Sequence, residues 1–366
     1  MDGVWIRRCL GLTVWLGLAV PVCARARHPV VASVPEAMSM QIKNDRLTMM
    51  LVKFPQVYLA GPLDADAPER FQALMRKGAV PDGSDVYLDS DRGDAEAGMA
   101  LGRLFRSHGM VTHVGARSRP GSCGRAAAAR TASCVDACTY AWLGGLYRWA
   151  PSGTDRIGLH QALLPGRRPA FSDYLASMGL SLRQLGAVMQ VSTEDMVWFD
   201  TRLLLTWSVA NNGRQPLTAS YQLTPDGAQL TYLQTVREGR HRILLSCSRS
   251  GATLTAINEL GARRSLMLWP RVTNTYFEID HQAMAGPRGP SARRTGEGLE
   301  FGRALDLAQL RQILVTESLG AWMQDRNGMV RYGFTIGPVA VRSSTQFFLE
   351  ACRHMLEPRL TSTIAR

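Results

Sequence analysis

The sequence predicts an α/β unit with a mostly parallel sheet and crossover helices, followed by a separate β-rich (α+β) unit. Three observations carry this. Strand-like and helix-like segments alternate between residues 47 and 209. Beyond Asn211-Asn212-Gly213, short strand-like segments follow one another with turn residues between them. Of 366 residues, 46% are hydrophobic and 20% charged. That balance excludes a disordered tail or a fibre, and a chain of this length can bury a core without staples.

Residues 1–26 read as an export address. Arg7 and Arg8 precede an apolar run over residues 9–23, shorter than the ~20 apolar residues a membrane-spanning helix needs. Ala24-Arg25-Ala26 then supplies small residues at the two positions that signal peptidase requires. An uncleaved anchor is the alternative reading. The mature chain is expected to be periplasmic or secreted and not membrane-spanning.

Residues 27–212 form the expected α/β unit. A strand over 57–59 leads into Gly61, and a helix over 65–77 carries Phe71, Leu74 and Met75 on one face. A strand over 85–88 precedes a helix over 95–108, which Gly109 ends before a strand over 110–114. Residues 213–366 form the β-rich unit, with strands over 229–236, 242–247, 252–257 and 276–279. Residues 285–298, rich in Gly, Pro and Arg, read as an exposed loop. A helix over 304–318, strands over 330–334 and 339–342, and a final helix ending near Met355 complete it.

The net charge of +12 invites a nucleic-acid partner, but only Lys43, Lys53 and Lys77 among the 42 cationic residues are lysine. The cations are scattered and no binding motif accompanies them, so no nucleic-acid role is expected. Signal cleavage would remove Cys9 and Cys23, leaving Cys123, Cys134, Cys138, Cys247 and Cys352 in an oxidising space. No Cys-x-x-Cys pair exists, and neither a metal nor a cofactor is expected. Cys247 and Cys352 each end an apolar segment and are predicted to pair. Two of Cys123, Cys134 and Cys138 can form a second bridge, and the sequence does not choose them.

Chemistry concentrates in three segments: Tyr87-Leu88-Asp89-Ser90-Asp91-Arg92-Gly93-Asp94 with the following helix to Gly98, then Cys134-Val135-Asp136-Ala137-Cys138 running to Leu143-Gly144-Gly145, then Gly158-Leu159-His160-Gln161. In this order, over residues 55–210, the chain resembles the exported branch of the Clp-protease/crotonase-like fold, whose cytosolic and membrane relatives include the Clp protease catalytic subunit and signal-peptide peptidase A. The resemblance implies a glycine turn whose N–H groups stabilise an oxyanion, a serine opening a helix, and a histidine base about two dozen residues later.

Mapped onto this chain, Gly93 is the remnant of the oxyanion turn and His160 takes the base position. Asp195 takes the orienting-acid position, with Asp200 the weaker alternative. The nucleophile position holds Asp136. A carboxylate has no proton for His160 to remove, and it is a poor acyl-transfer nucleophile in water. Arg92 stands where the turn's first glycine is expected, so an Arg92–Asp136 pair closing the pocket is one expectation. Asp136 as a plain helix cap is another. Ser133 as a displaced nucleophile and a Cys134–His160 thiol pair are further options. The resulting expectation is an exported, catalytically inactive Clp-protease-like protein that binds or scaffolds an unidentified protein or peptide. The alternative is an exported hydrolase using Asp136 and His160 as an acid/base pair. Relatives assemble into rings or trimers, so the resemblance also allows a homo-oligomer.

Overall fold

The computed structural model describes residues 37–117, 131–160, 169–192, 196–285 and 292–356. Residues 1–26, with the expected export address, and Cys123, Gln161 and Asp195 lie outside the described residues. Among those described, no helix is long and apolar enough to cross a membrane. The fold is mixed α/β with several sheets.

The first sheet joins, in spatial order, β1 (Ser39–Lys43), β2 (Gln56–Ala60), β3 (Asp85–Asp89), β4 (Val111–Val114) and β6 (Tyr147–Arg148). Only edge strand β1 is antiparallel; β2 to β6 pair in parallel. Between the strands run α1 (Arg46–Leu51), α2 (Ala67–Arg76), α3 (Ala95–Ser107) and α4 (Ala137–Leu143). α2 and α3 cross over as the apolar spacing of residues 65–77 and 95–108 predicts, and Phe71 and Phe105 meet edge to face in the core. Both are fully buried, so removing either side chain would cost about 3–5 kcal/mol. Across this sheet Tyr58, Tyr87, His113 and Trp149 form a stacked column, with centroid spacings of 4.9, 4.5 and 5.7 Å.

A second sheet branches off the first. It contains β5 (Ser133–Val135), β7 (Arg156–His160), β8 (Met189–Ser192) and β9 (Met196–Phe199), in the spatial order β5-β7-β9-β8. α5 (Pro169–Ser177) and α6 (Leu182–Val188) precede β8, and α7 (Thr201–Thr206) follows β9. The hydrophobic cluster of this half gathers residues from Met38 to Ala210.

A second cluster runs from Ala228 to Cys352. Its six-stranded antiparallel sheet is built from β10 (Thr218–Thr224), β11 (Gly227–Val236), β12 (Gly239–Ser248), β13 (Gly251–Glu259), β16 (Arg293–Thr295) and β17 (Gly298–Leu305). The spatial order is β10-β11-β12-β13-β17-β16. A four-stranded sheet uses β14 (Asn274–Ile279), β15 (Gln282–Ala283), β18 (Leu319–Gln324) and β19 (Arg331–Ile336), ordered β15-β14-β18-β19. The helices are α8 (Ala262–Leu268), α9 (Leu307–Val315) and α10 (Arg342–Leu356). Alternating burial along β12 and β13 is what one-sided packing requires.

Three sequence expectations change here. Residues 293–298 of the expected loop form a hairpin instead: Thr295 pairs with Gly298 across a two-residue turn whose Gly296 has φ 52°. Glycine there is a hairpin signal hidden in loop-like composition. Residues 339–342 are not a strand, because Pro338 opens a 3-10 turn that runs directly into α10. The helix expected over 304–318 starts only at Leu307, after Asp306 and Gln309 form a capping box. The Cys247–Cys352 bridge forms as predicted, fastening α10 to β12.

Candidate functional site

The first two sheets meet where β3, β5 and β7 end. The turn after β3 is held beside β5 by parallel bridging: Ser90 N–H donates to Ser133 O at 2.8 Å, and Val135 N–H donates to Ser90 O at 2.9 Å. Gly93 lies against Leu63, where an added Cβ would come 2.4 Å from the Leu63 carbonyl oxygen. Close approach therefore fixes glycine at this position. Asp94 caps α3, accepting the Ala97 N–H at 2.7 Å.

β5 ends at Val135 and α4 begins at Ala137, so Asp136 takes the whole change of direction, with φ 51° and ψ −107°. A non-glycine residue in such a conformation stores roughly 1–3 kcal/mol, which the surroundings must offset. They do so in three ways. Asp136 N–H donates to Gly158 O at 3.2 Å. The Thr139 hydroxyl donates to Gly158 O at 2.6 Å and lies 3.1 Å from Cys134 O. The Cys134–Cys138 disulfide spans the turn, from strand to helix. Behind it, α3 passes so close that a Cβ on Gly98 would sit 2.3 Å from Ala137 O, and one on Gly144 would sit 2.2 Å from the Gly102 backbone.

The Asp136 side chain turns to His160, the last residue of β7. Oδ1 accepts the His160 backbone N–H at 2.7 Å, and Oδ2 lies 2.5 Å from Nδ1. A carboxylate only accepts, so Nδ1 carries a proton, and a neutral ring in this arrangement has its lone pair on Nε2. The Asp136 side chain is 12% exposed and that of His160 is 44% exposed, so the imidazole opens outward from a buried carboxylate.

Several sequence options end at this point. Arg92 does not pair with Asp136; it is more than half exposed and lies 3.5 Å from Asp91, because the turn carries it outward while His160 occupies both Asp136 oxygens. Asp136 holds the position before α4 but makes no side-chain capping bond. Cys134 is disulfide-bonded and offers no thiol to His160. Ser133 lies within β5, paired with Arg156 rather than at the elbow. Asp200 caps α7, accepting from Arg202 and Leu203, at the opposite end of β9 from Met196, the residue paired with His160.

Sequence reasoning missed the choice of Cys138 as the partner of Cys134, although one helical turn of spacing around the elbow was its signal. It also missed that Asp136 itself gives His160 a carboxylate partner. Among the described residues, no group of three or more His, Cys, Asp or Glu side chains could hold a metal.

No protein-family model and no characterised protein matches the chain. Among solved structures it is similar to a point mutant of ClpP1 from Listeria monocytogenes, at 15% identity and a TM-score of 0.29, over 45% of this chain and 94% of that one. It is also similar to a point mutant of the 1510-N membrane-bound stomatin-specific protease, at 17% identity and a TM-score of 0.29, over 42% of this chain and 75% of that one.

Proposed function

We propose that this chain is an exported Clp-protease-like protein that has lost acyl-enzyme chemistry and serves in binding or scaffolding a protein or peptide partner. In this reading residues 27–212 form the Clp-protease/crotonase-like unit and residues 213–366 an appended β-rich domain. One observation carries it. At the strained strand-to-helix turn, where the resemblance implies an attacking serine hydroxyl, stands Asp136, and both its oxygens are engaged by His160. The elbow supplies no proton to abstract, and Nδ1 is committed to the same carboxylate. Asp195, at the family's orienting-acid position, has no hydroxyl to serve in this arrangement.

A second reading has its own support. With Nδ1 donating to Asp136, the neutral form of the part-exposed His160 ring has its basic nitrogen at Nε2. The N–H groups of Gly93 and Ala137, at the same sheet end, have no acceptor among the described residues. An imidazole that activates water beside two amide donors describes a hydrolase without a covalent intermediate.

Profiling the purified mature protein with fluorophosphonate, ester and peptide probes separates the two. Neither labelling nor turnover is expected, and His160→Ala should change nothing. Turnover without labelling that vanishes in His160→Ala would establish the second reading in place of the first. Esterase activity restored by Asp136→Ser alone would show that the pocket still admits acyl chemistry.

A further inference from the structure

Away from the elbow, two arginines meet one cavity without a carboxylate. Arg148, at the end of β6, is 4% exposed. Its Nε donates to Val209 O, and its Nη1 donates to Leu143 O at 3.3 Å and Gly145 O at 3.0 Å. Nη2 has no acceptor among the described residues. Arg106, on α3, donates through Nη2 to Met178 O at 2.7 Å, while its buried Nε has no partner. Both line a cavity of about 810 Å³, with Arg214 at the same wall. No Asp or Glu is among its described lining residues. The buried Gln234 Oε1 is also without a partner there.

The energetics point outward. A buried charge is strongly unfavourable unless an opposite charge or a full set of acceptors meets it. Carbonyls at the C-terminal end of α4 partly meet Arg148, and the helix dipole helps. Arg106, in the last turn of α3, has that helix's dipole and the Met178 carbonyl, but its buried Nε is left without a partner. Burial first, and then the neighbouring Arg106 charge, pull Arg148 down to about 9, so at neutral pH both guanidiniums stay charged and repel each other. The cavity's volume falls within the range of small-molecule pockets.

We propose that this cavity binds a small organic anion, whose carboxylate or phosphate sits between Arg106 and Arg148 and whose body rests on Met178 and Leu217. The proposal stands independently of the Asp136–His160 reading.

The test is thermal unfolding and calorimetric titration of the full mature chain with inorganic phosphate and, separately, succinate, each at constant ionic strength. One of them should raise the midpoint saturably, by roughly 2–4 °C at high occupancy, and the one that does so identifies the group. Arg106→Gln should weaken that binding at least tenfold, read against the variant's own anion-free midpoint because it also gives up the bond to Met178 O. Arg214→Gln should weaken it several-fold, and it provides the test if Arg106→Gln does not fold. The surface control Arg263→Gln/Arg264→Gln should bind as the parent does. No saturable shift with either anion, or one undiminished in the Arg106 and Arg214 variants, would overturn the proposal.

Discussion

Asp136 grips His160 at two points, main-chain N–H and ring Nδ1, from a backbone conformation that only glycine adopts freely. The two effects oppose each other in any substitution. Asp136→Ala loses both hydrogen bonds and keeps the strain, whereas Asp136→Gly loses the same bonds and releases it. The glycine variant should therefore be more stable than the alanine variant by about 1 kcal/mol in denaturant titrations. Nitrogen NMR of His160 should show an Nδ1–H tautomer in the parent that gives way to Nε2–H in both variants.

The two disulfides should differ in what they stabilise. Cys247–Cys352 closes a loop with a sequence separation of 105 and Cys134–Cys138 one of 4. The chain-entropy relation gives about 5 and about 2 kcal/mol respectively. Paired Cys→Ser variants should lower global stability in that order. Proteolysis near residue 136 should rise mainly when the short bridge is removed.

Helix α3 packs on α4 through bare backbone. An added methyl on Gly98 would meet Ala137 O at 2.3 Å and must push the helices apart. Gly98→Ala should cost about 1–3 kcal/mol. It should also perturb the His160 ring resonances, since the displaced helix begins at the elbow. A surface change such as Gly153→Ala, where nothing lies within 4 Å but φ is 61°, should leave those resonances unmoved.

Asp85, buried at the start of β3, joins the two hydrophobic halves. Arg237 from the β11–β12 turn binds it with both Nη atoms, at 2.9 and 2.8 Å, and His113 Nε2 lies 2.9 Å away. Burial alone would raise this carboxyl, but the bonds from His113 and Arg237 hold it below its ordinary value. Arg237→Ala leaves His113 as the buried carboxylate's remaining side-chain partner and should cost about 3 kcal/mol. Adding Asp85→Asn should recover part of that loss.

Acid sensitivity has a second source in His241. Burial, then Arg214 and Arg264, depress it from 6.5 to about 4, and its ring stacks on Phe334. The unfolded chain binds a proton between those values that the folded chain refuses. Stability therefore falls as pH drops from about 6.5 towards 4, by on the order of 3 kcal/mol, and this group contributes no slope above pH 7. His241→Phe should flatten that part of the stability–pH curve.

Much of the order was legible because periodicity is local. Phe71, Leu74 and Met75 announce α2, and Asp85 to Leu88 announce β3, without reference to anything distant. The Cys247–Cys352 pair was readable for a related reason, since each cysteine ends an apolar segment that must be buried. The partner of Asp136 was not readable. Whether that carboxylate meets Arg92, an N-terminal amide of α4 or His160 depends on a backbone angle at one residue and on where β7 ends. The anion cavity was equally hidden, because Arg106 and Arg148 converge only once α3 and β6 are packed. Residues 293–298 misled through composition, since glycine and arginine are as frequent in a tight hairpin as in a loop.

The stacked column of Tyr58, Tyr87, His113 and Trp149 gives the first sheet an optical readout of its own. Light absorbed by the two tyrosines can pass through space to the indole at the far edge, over the intervening His113 ring, which takes no part in the transfer. In a chain whose other tryptophans are replaced, Trp149 emission excited through tyrosine thus reports that this sheet is assembled, and it falls when the rings part on unfolding.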